Sequence, residues 1–242
     1  MFYTTLKVYI AEKFRSSWKS LLLLFVLCAA IFSLGLLLGG FVFDGRNDPG
    51  ELLFTENWDG HESGKPPGDP WDIYNVGDNG VAQIFSRGQG MGKSFSLRAD
   101  APSDITVAAA LPSGPLKHGT LTAAFDVLLE QGENLGFVLI GSGSSNHAYA
   151  LLNGEEVLTQ DSKERMLACG SFTPGTWINL RIVADIDRQT YSVFVNGHPG
   201  ECRDVSWVNH RESGGDLQSF AAFIGPDQSG SGRMDHLLIY HR

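Results

Sequence analysis

An uninterrupted apolar stretch from Ser20 to Phe43 constrains this chain more than any other feature of its sequence. The stretch contains no Asp, Glu, Lys, Arg or His and no Pro. A helix from Leu21 to Phe43 would be about 34 Å long, which exceeds the roughly 30 Å hydrocarbon core of a bilayer. Because a backbone in lipid must satisfy its own hydrogen bonds, we predict one transmembrane α-helix over residues 20–43. A cleaved signal peptide is the alternative, but its apolar core has only about 7–15 residues and precedes a small-residue cleavage site, which this stretch lacks.

The charges on either side of this stretch predict its orientation. Four basic residues precede it, against the single acid Glu12: Lys7, Lys13, Arg15 and Lys19. Since basic flanks stay in the cytoplasm, we expect residues 1–19 inside and the chain beyond a short linker at 44–53 outside. Apolar residues also recur at every fourth position before the stretch: Phe2, Leu6, Ile10, Phe14 and Trp18. This spacing is typical of an amphipathic helix on the inner membrane surface, the alternative being a segment that merely flanks the anchor.

Small residues on the predicted anchor suggest a surface for helix packing. Gly35 and Gly39 are four residues apart, and Ala29 and Ser33 lie one or two turns earlier. Such spacing lets a second helix approach closely in lipid, so other membrane-protein subunits are expected partners beside the bilayer itself. The anchor carries no ionisable side chain for conduction, so we expect no chemistry within it.

Charge and cysteine content narrow the function of the outer part. The whole chain carries a net charge of −9 and residues 1–43 contribute +3 (four basic residues, one acidic), so the remainder carries −12. This acidic balance argues against nucleic acid as a partner. Cys169 and Cys202 would lie outside, where disulfides persist, and we expect either a bridge between them or two buried free thiols. The absence of any Asn-x-Ser/Thr sequon favours the periplasm of a bacterial inner membrane over a eukaryotic cell surface.

Residues 54–242 have the texture of short strands separated by turns, and no long helix is expected there. The predicted strands are 52–57, 72–76, 81–86, 94–99, 105–111, 119–129, 134–141, 148–152, 155–160, 165–170, 176–186, 190–196, 220–225 and 232–240. The clearest pair runs from Trp177 to Gly197, where apolar residues alternate on both arms of an antiparallel hairpin. Many short strands at regular spacing predict an all-β, two-sheet antiparallel jelly-roll sandwich behind the anchor.

Three stretches of this region resemble concanavalin A-like (laminin-G-like) jelly rolls. The central hairpin beginning Gly175-Thr-Trp-Ile-Asn-Leu-Arg-Ile, the opening Phe54-Thr-Glu-Asn-Trp-Asp-Gly and the closing Gly232-Arg-Met-Asp-His-Leu-Leu-Ile-Tyr240 carry the resemblance. It implies that the closing strand pairs with the first. It also implies a candidate structural calcium site at Glu56 and Asp235, whose alternative role is that of solvent-facing strand residues. The same sandwich serves lectins, glycosidases and interaction modules, so the resemblance leaves function open.

Catalytic motifs are missing from the sequence. Neither the Glu-x-Asp-x-x-Glu strand of related glycosidases nor a Gly-x-Ser-x-Gly elbow occurs, and no catalytic residue is predicted. Exposed aromatic rings could instead stack on sugars, and the candidates are Trp58, Trp71, Tyr74, Tyr149 and Trp207. Core packing is the alternative for each, and it is the expectation for Trp177.

These features together predict a non-catalytic accessory subunit of a larger membrane complex, such as a bacterial respiratory or photosynthetic assembly. One helix would anchor it, and the extrinsic sandwich would dock on its partners. A membrane-tethered lectin-like module that binds glycan is the first alternative, and a glycoside hydrolase-like enzyme is the second.

Overall fold

The computed structural model describes residues 50–76, 80–86, 92–132, 134–142, 146–208 and 215–242. The predicted amphipathic segment, anchor and most of the linker lie outside these ranges, as do Ala29, Ser33, Gly35 and Gly39. Within the described residues, no helix is long and apolar enough to cross a membrane. The all-β prediction is confirmed for this part of the chain, which contains strands and turns but no α-helix.

The described residues form thirteen strands. Their bounds are β1 Glu51–Glu56, β2 Trp71–Val76, β3 Gly80–Ser86, β4 Lys93–Ala110, β5 Thr120–Gly132, β6 Asn134–Ile140, β7 Asn146–Asn153, β8 Glu156–Gln160, β9 Met166–Ser171, β10 Ile178–Asp185, β11 Thr190–Val195, β12 Val205–Ser206 and β13 Ser219–His241.

Two long strands, β4 and β13, pass from one sheet of the sandwich to the other. The first half of β13 lies between β6 and the second half of β4, and β2 pairs on the far side of β4. With β7, β8 and β9 beyond β6, these strands form what we call the front sheet. The second half of β13 lies between β5 on one side and β1 and the first half of β4 on the other. With β3, β10, β11 and β12, they form the back sheet.

The core fills the space between the two sheets. Alternate residues of the long strands point inward, as the period of two in β-structure requires. Phe125 from the back sheet lies 4.5 Å from Phe137 and 5.4 Å from Phe220 of the front sheet, measured between ring centroids. A second aromatic cluster closes one end, where Trp58 lies 5.1 Å from Trp71.

The strand predictions need two corrections. The segments 94–99 and 105–111 belong to one strand, β4, and 220–225 and 232–240 belong to β13. The chain stays extended where it crosses between sheets, and the register shifts between Ile224 and Gly230 take up the bend. The short β12 was not predicted. The expected pairing of the first and closing strands is confirmed, with Leu52 opposite Tyr240.

Candidate functional site

The outer face of the front sheet carries two neighbouring depressions. Because side chains alternate along a strand, β4 buries Ile105 and Val107 in the core and turns Thr106 and Ala108 outward. On β2, Tyr74 pairs with Thr106 and likewise faces out.

The Tyr74 depression lies over β2 and β4 and has a volume of about 560 Å³. It is lined by Asp72, Tyr74, Thr106, Ala108, Ala110, Leu111, Gly114, Pro115, Ile140, Gln218 and Ser219. Small side chains form its floor, and the Tyr74 ring, which is 60% exposed, borders it.

The Tyr149 depression lies over β6 to β8 and measures about 300 Å³. It is lined by Val138, Asn146, Tyr149, Leu151, Gln160, Val208, Phe223, Gly225 and Gln228. Ligand pockets generally measure roughly 300–1,000 Å³ and combine apolar walls with a few polar groups. The volumes of both depressions fall within this range, and both are open to solvent.

The two depressions lie side by side across the central strands. Val138 lines the Tyr149 depression and Ile140 lines the Tyr74 depression, and these residues are neighbours on the same face of β6. Phe223 and Ser219 line the same two depressions from one face of β13, four residues apart. An elongated ligand could therefore contact both depressions along one sheet face.

Polar groups in the Tyr149 depression are suited to binding hydroxyl groups. The Tyr149 hydroxyl lies 3.5 Å from Gln160 Oε1 and 3.7 Å from Met166 Sδ, which are long contacts that a ligand could replace. Burial raises the pKa of Tyr149, so the hydroxyl keeps its proton at neutral pH. The amides of Asn146 and Gln228 add donors and acceptors to the same lining.

A buried cluster lies next to Asn146 and Val208, two residues that line the Tyr149 depression. His147 is the extra residue of a bulge in β7, and its ring stacks on Trp207 with centroids 4.3 Å apart. The backbone N–H of Val208 donates to the His147 carbonyl over 3.1 Å. Asp216 accepts hydrogen bonds from the backbone N–H and hydroxyl of Ser142, at 2.9 and 2.5 Å. These bonds fix the loop that follows β6 against the segment that precedes β13.

The aromatic sugar-stacking candidates divide into two groups. Trp58, Trp71 and Trp207 are buried in the core, so the prediction that their rings are available to a sugar is wrong. Tyr74 and Tyr149 each line a depression, and their contact with sugar stays a prediction. Trp177, expected in the core, is instead 37% exposed at the start of β10.

Sequence reasoning missed the residues that share these depressions with the tyrosines, among them Thr106, Gln160, Phe223 and Gln228. Their signal lay in strand alternation. Thr106 lies between the apolar Ile105 and Val107, which indicates an outward-facing position once the inner face is known.

The remaining site predictions concern the cysteines and the candidate calcium residues. Cys169 and Cys202 form a disulfide, with Cα atoms 5.1 Å apart. Glu56 accepts a hydrogen bond from the Trp58 backbone N–H and pairs with His61 Nε2 at 3.0 Å. Asp235 accepts one from the backbone N–H of His236. No group of three or more His, Cys, Asp or Glu among the described residues is arranged to hold a metal ion. Calcium binding at Glu56 and Asp235 stays a prediction.

Comparison with known proteins identifies the fold. No protein-family model and no curated protein matches the chain. Among solved structures, a sialidase superposes with a TM-score of 0.54 at 12% identity over 71% of this chain, which corresponds to only 17% of the sialidase. The Emp47p carbohydrate recognition domain gives 0.49 at 11% identity, covering 79% of this chain and 97% of that one. A family 11 carbohydrate-binding module from Clostridium thermocellum gives 0.42 at 11% identity, covering 72% and 91%. The likeness to the sialidase extends to the fold alone, and the described residues between 50 and 242 form a two-sheet jelly-roll sandwich.

Proposed function

We propose that the sandwich is a glycan-binding module that holds an uncharged oligosaccharide across the outer face of the front sheet. The observation that carries this proposal is that the Tyr74 and Tyr149 depressions lie side by side on one sheet face. A sugar ring has apolar C–H faces and a rim of hydroxyls. Tyrosine rings can cover the faces, while Gln160 and Asn146 can bind the rim.

The charge of the lining residues favours an uncharged ligand. Among the described residues that line the two depressions, Asp72 alone is charged at neutral pH. The acidic balance of the outer part of the chain would repel glycans rich in uronic or sialic acids. We therefore expect neutral glycans to bind and acidic ones to bind weakly or not at all.

We further propose that the module binds without cleaving. Glycoside hydrolysis generally uses two carboxylates about 5–10 Å apart on either side of the scissile bond. Asp72 supplies a single carboxylate to the described lining of the depressions. Incubating the protein with each bound oligosaccharide and analysing the products tests this, and release of shorter sugars would refute it.

Binding is tested with the full chain in a detergent that has no sugar headgroup. A glycan array would be followed by titration of the best neutral oligosaccharide into the wild type, Tyr74→Ala and Tyr149→Ala. Loss of a ring that covers one sugar face should cost about 1–2 kcal/mol, which is roughly a 5- to 30-fold rise in Kd.

Trp177→Ala is the matched control, because it truncates an exposed aromatic residue that lines neither depression. It should leave the affinity unchanged. If no neutral glycan binds, or if all three variants bind like the wild type, the proposal is wrong.

The accessory-subunit hypothesis and the membrane topology remain proposals of ours that rest on residues 1–49. A single-pass anchor with the sandwich in the periplasm would hold the glycan-binding face close to the membrane. Purification of the full chain in mild detergent tests the subunit hypothesis. Stoichiometric co-purification of other membrane proteins would favour it, whereas elution of the chain alone would count against it.

A further inference from the structure

A tight turn follows β1 at one corner of the back sheet. Trp58 has a φ of +65°, and its backbone N–H donates to Glu56 Oε1 over 2.8 Å. The His61 N–H then donates to the Trp58 carbonyl over 3.1 Å. Residues 57–61 form what we call the corner turn.

Lys93, the first residue of β4, ties this turn to the sheet. Its ammonium Nζ donates to the carbonyl oxygens of Asp59 at 2.9 Å and His61 at 2.5 Å. Its backbone N–H donates to Asp59 Oδ1 at 2.8 Å. A Cβ on the preceding Gly92 would lie only 3.1 Å from the same carboxylate oxygen, so the backbone passes close beneath Asp59. One residue thus makes three hydrogen bonds to the corner turn.

Two carboxylates, those of Asp59 and Glu56, belong to the residues at this corner. The Asp59 carboxylate accepts from the Lys93 backbone, and Glu56 pairs with His61, whose carbonyl accepts from Lys93 Nζ. The corner therefore combines two backbone carbonyls with carboxylates, which is the type of oxygen set that calcium prefers.

The hydrogen bonds of Lys93 argue against calcium on the carbonyl oxygens of Asp59 and His61. Calcium takes six to eight oxygen ligands at roughly 2.3–2.6 Å. The carbonyls of Asp59 and His61 already accept hydrogen bonds from Lys93, and a divalent ion on them would meet the ammonium at close range. These two carbonyls therefore already bind a cation, the Lys93 ammonium, and are not available to a calcium ion.

We infer that Lys93 is a built-in replacement for a structural cation, and that the corner turn is held by its ammonium group without calcium. Charge-assisted hydrogen bonds are roughly twice as strong as neutral ones, so one lysine can organise two carbonyls. The inference concerns stability at this corner and is independent of glycan binding.

The first test needs no variant. Thermal unfolding of the full chain in detergent is followed with 5 mM CaCl₂ and with excess EDTA. We expect the same Tm in both. A Tm at least about 2 °C higher in calcium than in EDTA would overturn the inference.

The second test compares Lys93→Met with Lys163→Met, an exposed lysine in the turn between β8 and β9. Hydrogen exchange is measured at residues 58–61 well below the Tm, where global unfolding contributes little. Lys93→Met should lose protection there and lower the Tm by about 3–10 °C, while Lys163→Met and the charge-retaining Lys93→Arg should do neither. Equal exchange at 58–61 in both methionine variants would overturn the inference.

Discussion

The disulfide between Cys169 and Cys202 should contribute a large part of the stability of the sandwich. It links β9, at one edge of the front sheet, to the segment between β11 and β12 of the back sheet. The two cysteines are 33 residues apart, and closing a loop of that length removes about 4 kcal/mol of chain entropy from the unfolded state at 25 °C. For a domain of this size each kcal/mol moves the Tm by roughly 2–4 °C. Reduction should therefore lower the Tm by about 8–16 °C.

The assay compares oxidised protein, reduced protein and Cys169→Ala/Cys202→Ala by calorimetry. Both sulfurs are buried, so reduction is done in TCEP with mild denaturant before the denaturant is removed. The reduced wild type keeps the volume of both sulfurs and so isolates the loop effect. The double variant should be less stable again, because it adds cavities. If reduction moved the Tm by less than about 2 °C, the argument that the bridge stabilises the fold by closing this loop in the unfolded state would be refuted.

Three further predictions concern buried groups. Burial lowers the pKa of His147, against the opposing charge of Asp216, so the folded state keeps the ring neutral and stability should fall as the pH drops below about 6.5. His147→Phe should lose part of this acid sensitivity in unfolding titrations between about pH 6.5 and 5, and identical pH profiles would contradict the reasoning. The buried Tyr191 hydroxyl donates to the Gln160 carbonyl over 2.6 Å, so Tyr191→Phe should lower the free energy of unfolding by about 1–3 kcal/mol in urea titrations. An unchanged free energy of unfolding would show that this hydrogen bond is dispensable. A Cβ at Gly136 would lie 2.2 Å from the Phe223 ring, so Gly136→Ala should displace that ring from the Tyr149 depression and weaken glycan binding measured by titration. An unaltered affinity would disprove this prediction.

The hairpin of β10 and β11 could be predicted from the sequence because its pattern is strictly local. Alternation on both arms determined which residues face the core, and Ile182 pairs with Val193 as two such inward residues. The Asn196-Gly197 dipeptide that follows β11 is likewise a local turn signal, and both residues have positive φ, at 49° and 84°. These signals depend on a few neighbouring residues and need no knowledge of the rest of the fold.

The continuity of β4 and β13 could not be predicted in the same way. Pro102 and Pro226 interrupt their patterns, and proline ordinarily indicates a turn or the end of a strand. Here both residues lie where the strands cross between the sheets, and the ladder of β13 shifts register between Ile224 and Gly230. The missing N–H of proline is tolerated at such irregular positions. Only the three-dimensional path distinguishes this arrangement from two separate strands.

The exposure of single aromatic rings in the candidate site could not be predicted from the sequence either. Trp71 and Tyr74 belong to one strand, yet the first is buried and the second exposed, because their odd separation places them on opposite faces. Asp72, on the same face as Tyr74, was the local signal for the outer side. Whether that outer face is covered or open depends on the arrangement of distant strands, which a single sequence does not supply.

The two proposals can be separated because they lie at opposite ends of β4. Lys93 begins this strand at the corner turn, while Thr106 lines the Tyr74 depression after the strand has crossed to the front sheet. Lys93 bonds Asp59 and His61, which line neither depression, and the corner turn reaches β2 through Trp58, whose ring lies 5.1 Å from that of Trp71. Mutations without shared partners usually act independently. Lys93→Met should therefore lower the Tm at unchanged glycan affinity, and Tyr74→Ala should weaken binding at nearly unchanged Tm. If Lys93→Met weakened binding as much as Tyr74→Ala while the protein remained folded, β4 would couple the corner to the glycan face, and our assignment of separate roles would be wrong.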